Sequence, residues 1–446
     1  MKCSNAKIVL LFTFYFLLFN NSCSLNKQIA KQAGNTVFKD SAINTGNIGI
    51  CIYEPTNNKY WYNYNSTHYF IPASNTKLFT LYAGMKYLGD SLVGLKYQNA
   101  DKDSLFIQPT ADPTFLLSEF NNQPVYTFLK SQNEKHLILL NPRWQEKNLG
   151  YGWAWDDYQY TFMAERSLMP IYGNVVQFTY DGKKFLASPK YFNVENEISY
   201  SALSTKNDSN NNKFTIIRNR NNNDFKLEST NQIHNKLELP FVSNIQVISS
   251  LLKDTLKNSI FTNPNTILNN KYEIIHSQPT DSLFKPMMHR SDNFFAEQTL
   301  LMVSNEHLGY MNDEKIIDTI LNTDLKDVPQ KPKWVDGSGL SRYNLFTPQS
   351  FVYILNKMRN DFGFERLKII LPTGGEGTLN NYFKTISGNI YAKTGTLSND
   401  CALSGFLITN KGKLLIFSIL TNNYITSATP VRRAVALFLE NIQKKY

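Results

Sequence analysis

"FIPASNTKLFT", residues 70–80, is the stretch on which the reading of this chain turns. It holds a serine and a lysine three positions apart, Ser74 and Lys77, at the opening of "SNTKLFTLYAGMKYLGD" (74–90). Leu78, Leu81, Tyr82, Met85 and Leu88 recur at helical spacing, which predicts an amphipathic helix with Gly89 as its stop. Residues three apart on a helix share a face, so the Lys77 amine can reach the Ser74 hydroxyl. Ser-x-x-Lys is common, however, and the plainer reading of Ser74 is a helix cap. The rest of the chain has to choose.

The 446 residues are 42% apolar and 18% charged, with 30 Phe and 25 Tyr, which is the composition of a folded protein of two or three domains. At the N-terminus Lys2 and Lys7 precede a twelve-residue run, Ile8 to Phe19. That run is shorter than the ~20 residues a spanning helix needs and reads as an export signal over residues 1–23, directing the protein to the periplasm. Cys23 after Ser22 also fits a lipoprotein site, which would tether the chain to a membrane, although Asn20 stands where such sites carry Leu. Lipid anchoring and plain cleavage both stay open. Cys51 and Cys401 lie in apolar, strand-like runs and read as buried free thiols. The net charge of +10 favours an acidic partner. The basic residues are scattered, so no nucleic acid is expected. Six histidines show no i, i+4 pair and no Cys cluster accompanies them; no Gly-rich phosphate loop follows a strand. Neither a metal nor a cofactor is expected.

"NIGICIYEPTNNKYWYNYN" (47–65) alternates and turns at "PTNN", a β-hairpin. Residues 96–265 break into short apolar runs split by Asn, Pro and Gly, mostly strands and loops. Helices are expected at 291–309 and 347–361, the latter with Thr347 as N-cap and Pro348 in its first turn. "CALSGFLITNKGKLLIFSILTNN" (401–423) gives two buried strands around a turn at Asn410–Gly412, and "PVRRAVALFLENIQ" (430–443) a closing amphipathic helix. The order suits an α+β domain formed by residues 24–95 and 266–446, interrupted by a β-rich insertion at 96–265.

Three short motifs then fall in a meaningful order: Ser74-Asn-Thr-Lys77, Ser291-Asp-Asn293, and Lys393-Thr394-Gly395-Thr396. Singly they read as two helix caps and a strand entering a turn; together, on a helix, a loop–helix junction and a strand edge, they point to chemistry. A serine hydroxyl is a poor nucleophile until a base takes its proton. Lys77 can do so only when neutral, which demands burial or nearby positive charge. Lys393 would supply that charge and bind a substrate carboxylate. Ser291 could relay a proton to a leaving group, and Asn293 could fix Lys77 and a substrate amide. The backbone N–H groups of Ser74 and Thr396 would form an oxyanion hole, worth ~3–4 kcal/mol per donor.

The three motifs resemble those of the penicillin-recognising serine enzymes. "WVDGSGLSRYNLFTP" (334–348), "LPTGGEGTL" (371–379), "ADPTF" (111–115) and "GWAWDDYQYTFMAERSLMPIYGN" (152–174) narrow this to the D-alanyl-D-alanine carboxypeptidase/endopeptidase family, the class C low-molecular-mass penicillin-binding proteins. Ser74 and Ser291 stand 217 residues apart, in keeping with that family's long insertion. The resemblance implies a five-stranded antiparallel sheet flanked by helices, as in serine β-lactamases, with a β-rich insert. It also implies attack by Ser74 on a D-Ala-D-Ala carbonyl of peptidoglycan stem peptides, Lys77 as base and Ser291 as relay. Lys393, Thr394 and Thr396 would anchor the carboxylate and amide, and β-lactams would act as covalent inhibitors. Asp336 and Ser338 read as bracing residues, and the "WAWDD" aromatics as domain packing. The chain departs from the family at Asn380-Asn381 and Tyr391, where relatives carry Arg. Two rival readings are a β-lactamase, on the letters "EGTLN" (376–380), and a non-catalytic cell-wall-peptide binder. Glu376 lies only 17 residues before Lys393, inside a stretch that already matches the carboxypeptidases, so the letter match reads as coincidence.

Overall fold

The computed structural model describes residues 25–446 except 142, 181–184, 193–212, 231–235 and 270; the expected export segment and Cys23 lie outside the described residues. Two ends of the chain build the main sheet. The hairpin β1 (Asn47–Glu54) and β2 (Lys59–Tyr64) joins β13 (Ile390–Leu397), β14 (Asp400–Ile408) and β15 (Leu414–Asn422) in the order β13-β14-β15-β1-β2, antiparallel throughout. β14 and β15 are buried over almost their whole length. Layers therefore cover both faces of the sheet, as continuous apolar strands require. On one face lie helix α1 (residues 25–35) and the C-terminal α10 (Ala428–Lys445), whose Val431, Val435, Phe438 and Ile442 share a core with Ile52, Leu403 and Phe417. On the other lie α2 (Lys77–Tyr87), α6 (Asn293–Leu308) and α8 (Pro348–Phe362). Cys51 and Cys401 are buried, free thiols.

Inside the chain, β3 (Ser91–Asn99), β4 (Ser104–Pro109), β5 (His136–Leu140), β11 (Ile260–Asn263) and β12 (Glu273–Pro279) form a second five-stranded sheet, in the order β11-β5-β4-β3-β12. A three-stranded sheet of β6 (Val175–Tyr180), β7 (Phe185–Ser188) and β10 (Lys236–Pro240) and a pair, β8 (Lys213–Arg218) with β9 (Phe225–Thr230), complete the strands among the described residues. These elements have a core of their own around Leu137, Phe178, Phe241 and Leu252. Two helices, α3 (Pro124–Ser131) and α4 (Ile245–Leu256), stand within the stretch read as strands and loops. Three further helices, α5 (Thr280–His289), α7 (Asp313–Asn322) and α9 (Phe364–Ile370), were not anticipated, although α5 buries Leu283, Phe284, Met287 and Met288, and α7 buries Ile316, Ile317, Ile320 and Leu321, at helical spacing.

Helix α2 differs from its sequence reading. Every residue from Lys77 to Met85 is buried, so it is a central rod and not an amphipathic surface helix. Gly84 permits this, since a Cβ there would meet the Phe284 ring at 2.7 Å and Thr299 at 2.9 Å. At its start Phe79 packs edge-on against Trp334, Phe346 and Phe351, with ring centroids 4.8–5.7 Å apart. Such rings contribute beyond the area they bury. Phe79→Ala should cost about 3–5 kcal/mol of stability, read from denaturant unfolding of the purified chain. A loss under ~1 kcal/mol would mean that this cluster does not hold the helix in place.

Candidate active site

Ser74 belongs to a 3-10 turn, Ala73–Thr76, that feeds directly into α2, and no side-chain cap is made there. The capping alternative is thereby removed. Ala73, one residue before Ser74, has a φ of +47°, and Ser291 one of +62°. Left-handed backbone in non-glycine residues costs on the order of 1–3 kcal/mol and persists only where the surroundings enforce it. For Ser291 the cap alternative also fails: Asp292 is the N-cap of α6, accepting from Phe295 N at 2.9 Å. The true cap thus frees the Ser291 hydroxyl and sets Asn293 at the first helical position.

Lys77 is fully buried, and its Nζ lies 2.9 Å from Ser74 Oγ, 2.6 Å from Asn293 Oδ1 and 2.6 Å from the Ser338 carbonyl oxygen. Two of those three partners can only accept. A neutral amine has two N–H donors for them and one lone pair left, and that lone pair faces the one partner able to donate, the Ser74 hydroxyl. Asn293 cannot be turned round, because its Nδ2 donates to the Phe162 carbonyl at 2.9 Å. Burial pulls the Lys77 pKa down to about 8, against Asp336, Glu297 and Asp292, which favour the charged form. Desolvation, rather than the charge of Lys393, is what lowers it.

Lys393 makes a second set. Its Nζ donates to Ser291 Oγ at 2.8 Å and to the Thr394 carbonyl at 2.7 Å. Burial first, then the charges of Lys77 and Arg432, hold it well below the ordinary lysine range. Strand β13 alternates, so Lys393 and Gly395 turn toward Ser74 and Ser291 while Thr394 and Thr396 turn toward α10. A Cβ on Gly395 would stand 2.5 Å from the Pro72 carbonyl and 3.1 Å from Asn75 N, so only glycine lets the strand edge close on the Ser74 turn. Thr394 lines a small cavity with Leu379, Tyr382 and Arg432, and the exposed Thr396 accepts a hydrogen bond from Arg432. Ser74, Lys77, Asn293, Ser291, Lys393 and Gly395 are therefore gathered on one side; the two threonine side chains are not.

Asp336 braces the site. It is buried and accepts from Gly339 N, Ser341 N, Asn344 Nδ2 and Trp153 Nε1 at 2.7–2.9 Å. Ser338 goes further than bracing, because its carbonyl contacts Lys77 and its N–H donates to Glu297 at 2.7 Å. Gly339 has a φ of +82°, and a Cβ there would lie 2.0 Å from the Ala73 carbonyl, so this loop presses onto the Ala73–Thr76 turn. Three participants escaped the sequence reading: the carbonyls of Ser338 and Phe162, and the carboxylate of Glu297. Backbone groups have no letter, but Glu297 stands one helical turn after Asn293, a spacing that could have flagged it.

A family model described as D-Ala-D-Ala carboxypeptidase 3 (S13) matches residues 30–442. The chain is 24% identical over 419 residues to D-alanyl-D-alanine carboxypeptidase DacB of Haemophilus influenzae, covering 85% of this chain and 86% of that one. It is also 24% identical over 453 residues to penicillin-sensitive carboxypeptidase A of Dictyostelium discoideum, covering 83% and 82%. The crystal structure of penicillin binding protein 4 (dacB) from Haemophilus influenzae aligns with a TM-score of 0.71 at 19% identity, over 93% of this chain and 98% of that one. That protein has also been solved in complex with a β-lactam. The fold is of the penicillin-binding-protein type, with the five-stranded antiparallel sheet that the family resemblance implied.

With Lys77 titrating at about 8, its neutral form prevails above that pH and is only about a tenth of the population at pH 7. The rate at which an acylating probe such as penicillin labels Ser74 should climb with pH through about 8 and level off above it. Stopped-flow or quenched labelling between pH 6 and 10 measures this. A flat profile would rule out Lys77 as the titrating base.

Proposed function

Because the chain belongs to the D-Ala-D-Ala carboxypeptidase 3 (S13) family, we propose that it is a serine-type peptidase that cleaves D-alanyl-D-alanine bonds of peptidoglycan stem peptides. The observation that supports this most directly is the buried Lys77 amine, with two acceptors fixing its N–H groups and its lone pair facing Ser74. In this reading Lys77 takes the Ser74 proton as Oγ attacks the carbonyl carbon of the penultimate D-alanine. The C–N bond then breaks, and the proton returns through Ser291 to the departing amine of the last D-alanine. Water hydrolyses the acyl-serine ester and restores the serine. Asn293 at the start of α6, and Lys393, Thr394, Gly395 and Thr396 at the edge of β13, position the peptide in this reading, the two threonines from the side of the strand that faces α10; no metal or cofactor enters this mechanism.

A β-lactam offers the same carbonyl, but its broken amide stays tethered to the acyl group, so the leaving amine cannot diffuse away. The adduct should persist where a peptide would turn over. We further propose export to the periplasm; among the described residues, no helix is long and apolar enough to cross a membrane. Intact-protein mass after mixing with a penicillin, followed over time, tests the reading. A lasting adduct on the unaltered chain, absent in Ser74→Ala and formed on the order of 10²–10⁴-fold more slowly in Lys77→Ala, is the expected result. Labelling retained in Ser74→Ala would sink the assignment. Rapid drug consumption without an adduct would point to a β-lactamase, and neither adduct nor consumption to a non-catalytic binder.

A further inference from the structure

We infer that one end of the main sheet is a docking surface for a membrane bearing anionic lipid headgroups, formed by lysines of α1, of the β14–β15 turn and of the end of α10. This surface is separate from the catalytic cleft and does not depend on what Ser74 cleaves. Its basic residues are scattered in the sequence, and the fold gathers them around Tyr446. The Tyr446 hydroxyl donates to Gln28 Oε1 of α1 at 3.2 Å, and its main-chain oxygen accepts from Lys411 N at 3.1 Å. Its ring meets Trp61 edge-on with centroids 5.3 Å apart, and Lys413 Nζ lies 5.3 Å over that indole. Asn410 Nδ2 donates to the Lys444 carbonyl at 3.3 Å, and Lys445 Nζ lies 5.3 Å over the Tyr446 ring. On α1, Leu25, Ile29 and Ala33 pack into the core beneath, which leaves Lys27 and Lys31, one turn apart, on the outer side with Gln28. Lys27, Lys31, Lys411, Lys413, Lys444 and Lys445 are all exposed.

Two features set this end apart from an ordinary solvated face. The first is uncompensated charge. Lys413 and Lys444 have acidic partners, Glu54 at 3.2 Å and Glu440 at 4.0 Å. Among the described residues, Lys27, Lys31, Lys411 and Lys445 have none within 4.0 Å. Even with the main-chain carboxylate of Tyr446 set against the six lysines, positive charge is in excess, and it attracts an anionic surface. The second feature is where the chain enters. α1 starts at Leu25, and Gln28 in its first turn is the residue that touches Tyr446. The apolar run ends at Phe19, and Cys23 lies two residues before the helix. Six residues of chain reach roughly 20 Å at most, so a membrane that holds the chain through that run or through Cys23 meets the lysine end first. A single lipid chain gives only marginal binding, and a polybasic surface is a second signal that makes anchoring stable. A soluble acidic polymer has no such reason to be met at this end. Docking here also leaves the cleft clear. Thr396 pairs with Cys401 at the start of β14, and that strand then runs to Ile408 before the Asn410–Gly412 turn, which places the lysine end on the order of 20 Å from the Lys393-to-Thr396 motif.

The test is co-sedimentation of the purified full chain with vesicles of phosphatidylcholine alone and of phosphatidylcholine mixed with phosphatidylglycerol. The ratio of the two partition constants reads headgroup charge and cancels what the apolar N-terminal run contributes to both. The unaltered chain should prefer the anionic vesicles, and high salt should abolish the preference. In K27Q/K31Q/K444Q/K445Q the preference should fall about tenfold or more. K102Q/K190Q/K226Q/K236Q, which removes the same charge from the inserted part of the chain, should keep it. The denaturant midpoint of each variant checks its folding; should the first variant unfold, K27Q/K31Q and K444Q/K445Q made separately answer the same question. No preference in the unaltered chain, or a preference equal in all three chains, would overturn the inference. An equal loss in both variants would also overturn it, by tracing the binding to net charge alone. Capture of heparin through the patch lysines, with no preference for anionic vesicles, would overturn the membrane assignment in favour of an acidic polymer.

Discussion

A lysine amine with no contact with solvent sits at the centre of this protein, and much of the surrounding structure follows from burying it. An ammonium without water is expensive unless it is matched by acceptors, and the less costly state for a desolvated lysine is the neutral one. Helix α2 is therefore unusual in beginning with a charged-type residue and yet being buried on all sides. The groups that tolerate this are not ionic partners in contact with Lys77. They are a side-chain amide and a backbone carbonyl, Asn293 and Ser338, with Asp336 and Glu297 acting from farther away. A carboxylate in direct contact would have fixed the proton on the lysine. Neutral acceptors leave the proton exchangeable, which is what a base requires.

The second organising constraint is the strand edge. β13 has to bring Lys393 and Gly395 against Ser291 and the Ser74 turn while its alternate side chains enter the opposite layer, where α10 lies. A single run of four residues thereby couples the two cores of the main sheet. The positive φ values at Ala73 and Ser291 fall at the two junctions where loops must present a hydroxyl to this edge. Both are enforced by dense neighbours: Gly339 packs against the Ala73 carbonyl, and Asp292 caps α6 beside Ser291.

Much of this was legible in the sequence, in the parts where side-chain identity decides the outcome. The hairpin, the α8 cap at Thr347, the β14–β15 pair and the closing helix all lie where periodicity and turn residues put them. Helix α2 was legible as a helix and illegible as a buried one, because Thr80, Gly84 and Lys77 look polar or neutral until their partners are known. α5 has Leu283, Phe284, Met287 and Met288 at helical spacing but carries Pro286 inside it, which argues against a helix, and the seven residues of α9 give too few turns for a periodic signal. In the site, the residues that meet around Ser74 could be named from their letters. The direction of Thr394 and Thr396 could not, since it depends on which face of β13 the helix α10 covers. Nor could the dominant cause of the Lys77 shift, because burial is a property of the packed molecule.

The segment from Glu146 to Asn174 illustrates how far the site depends on chain distant from its motifs. Its aromatics read most simply as packing, yet three of its members each meet a different group that supports the site. The Phe162 carbonyl fixes the Asn293 amide, Trp153 Nε1 donates to Asp336, and Arg166 reaches Glu297 at 3.6 Å while pairing with Glu146 and Asp313. Glu297 in turn accepts from Ser338 N, whose carbonyl accepts from Lys77. Burial, and then the neighbouring Asp336 charge, raise the Glu297 pKa to about 8 even with Arg166 beside it. Arg166 is the counter-charge that opposes this. The acceptor geometry around Lys77 is therefore set partly by residues that never approach Ser74, and the inserted chain is a structural wall of the site as well as an addition to it.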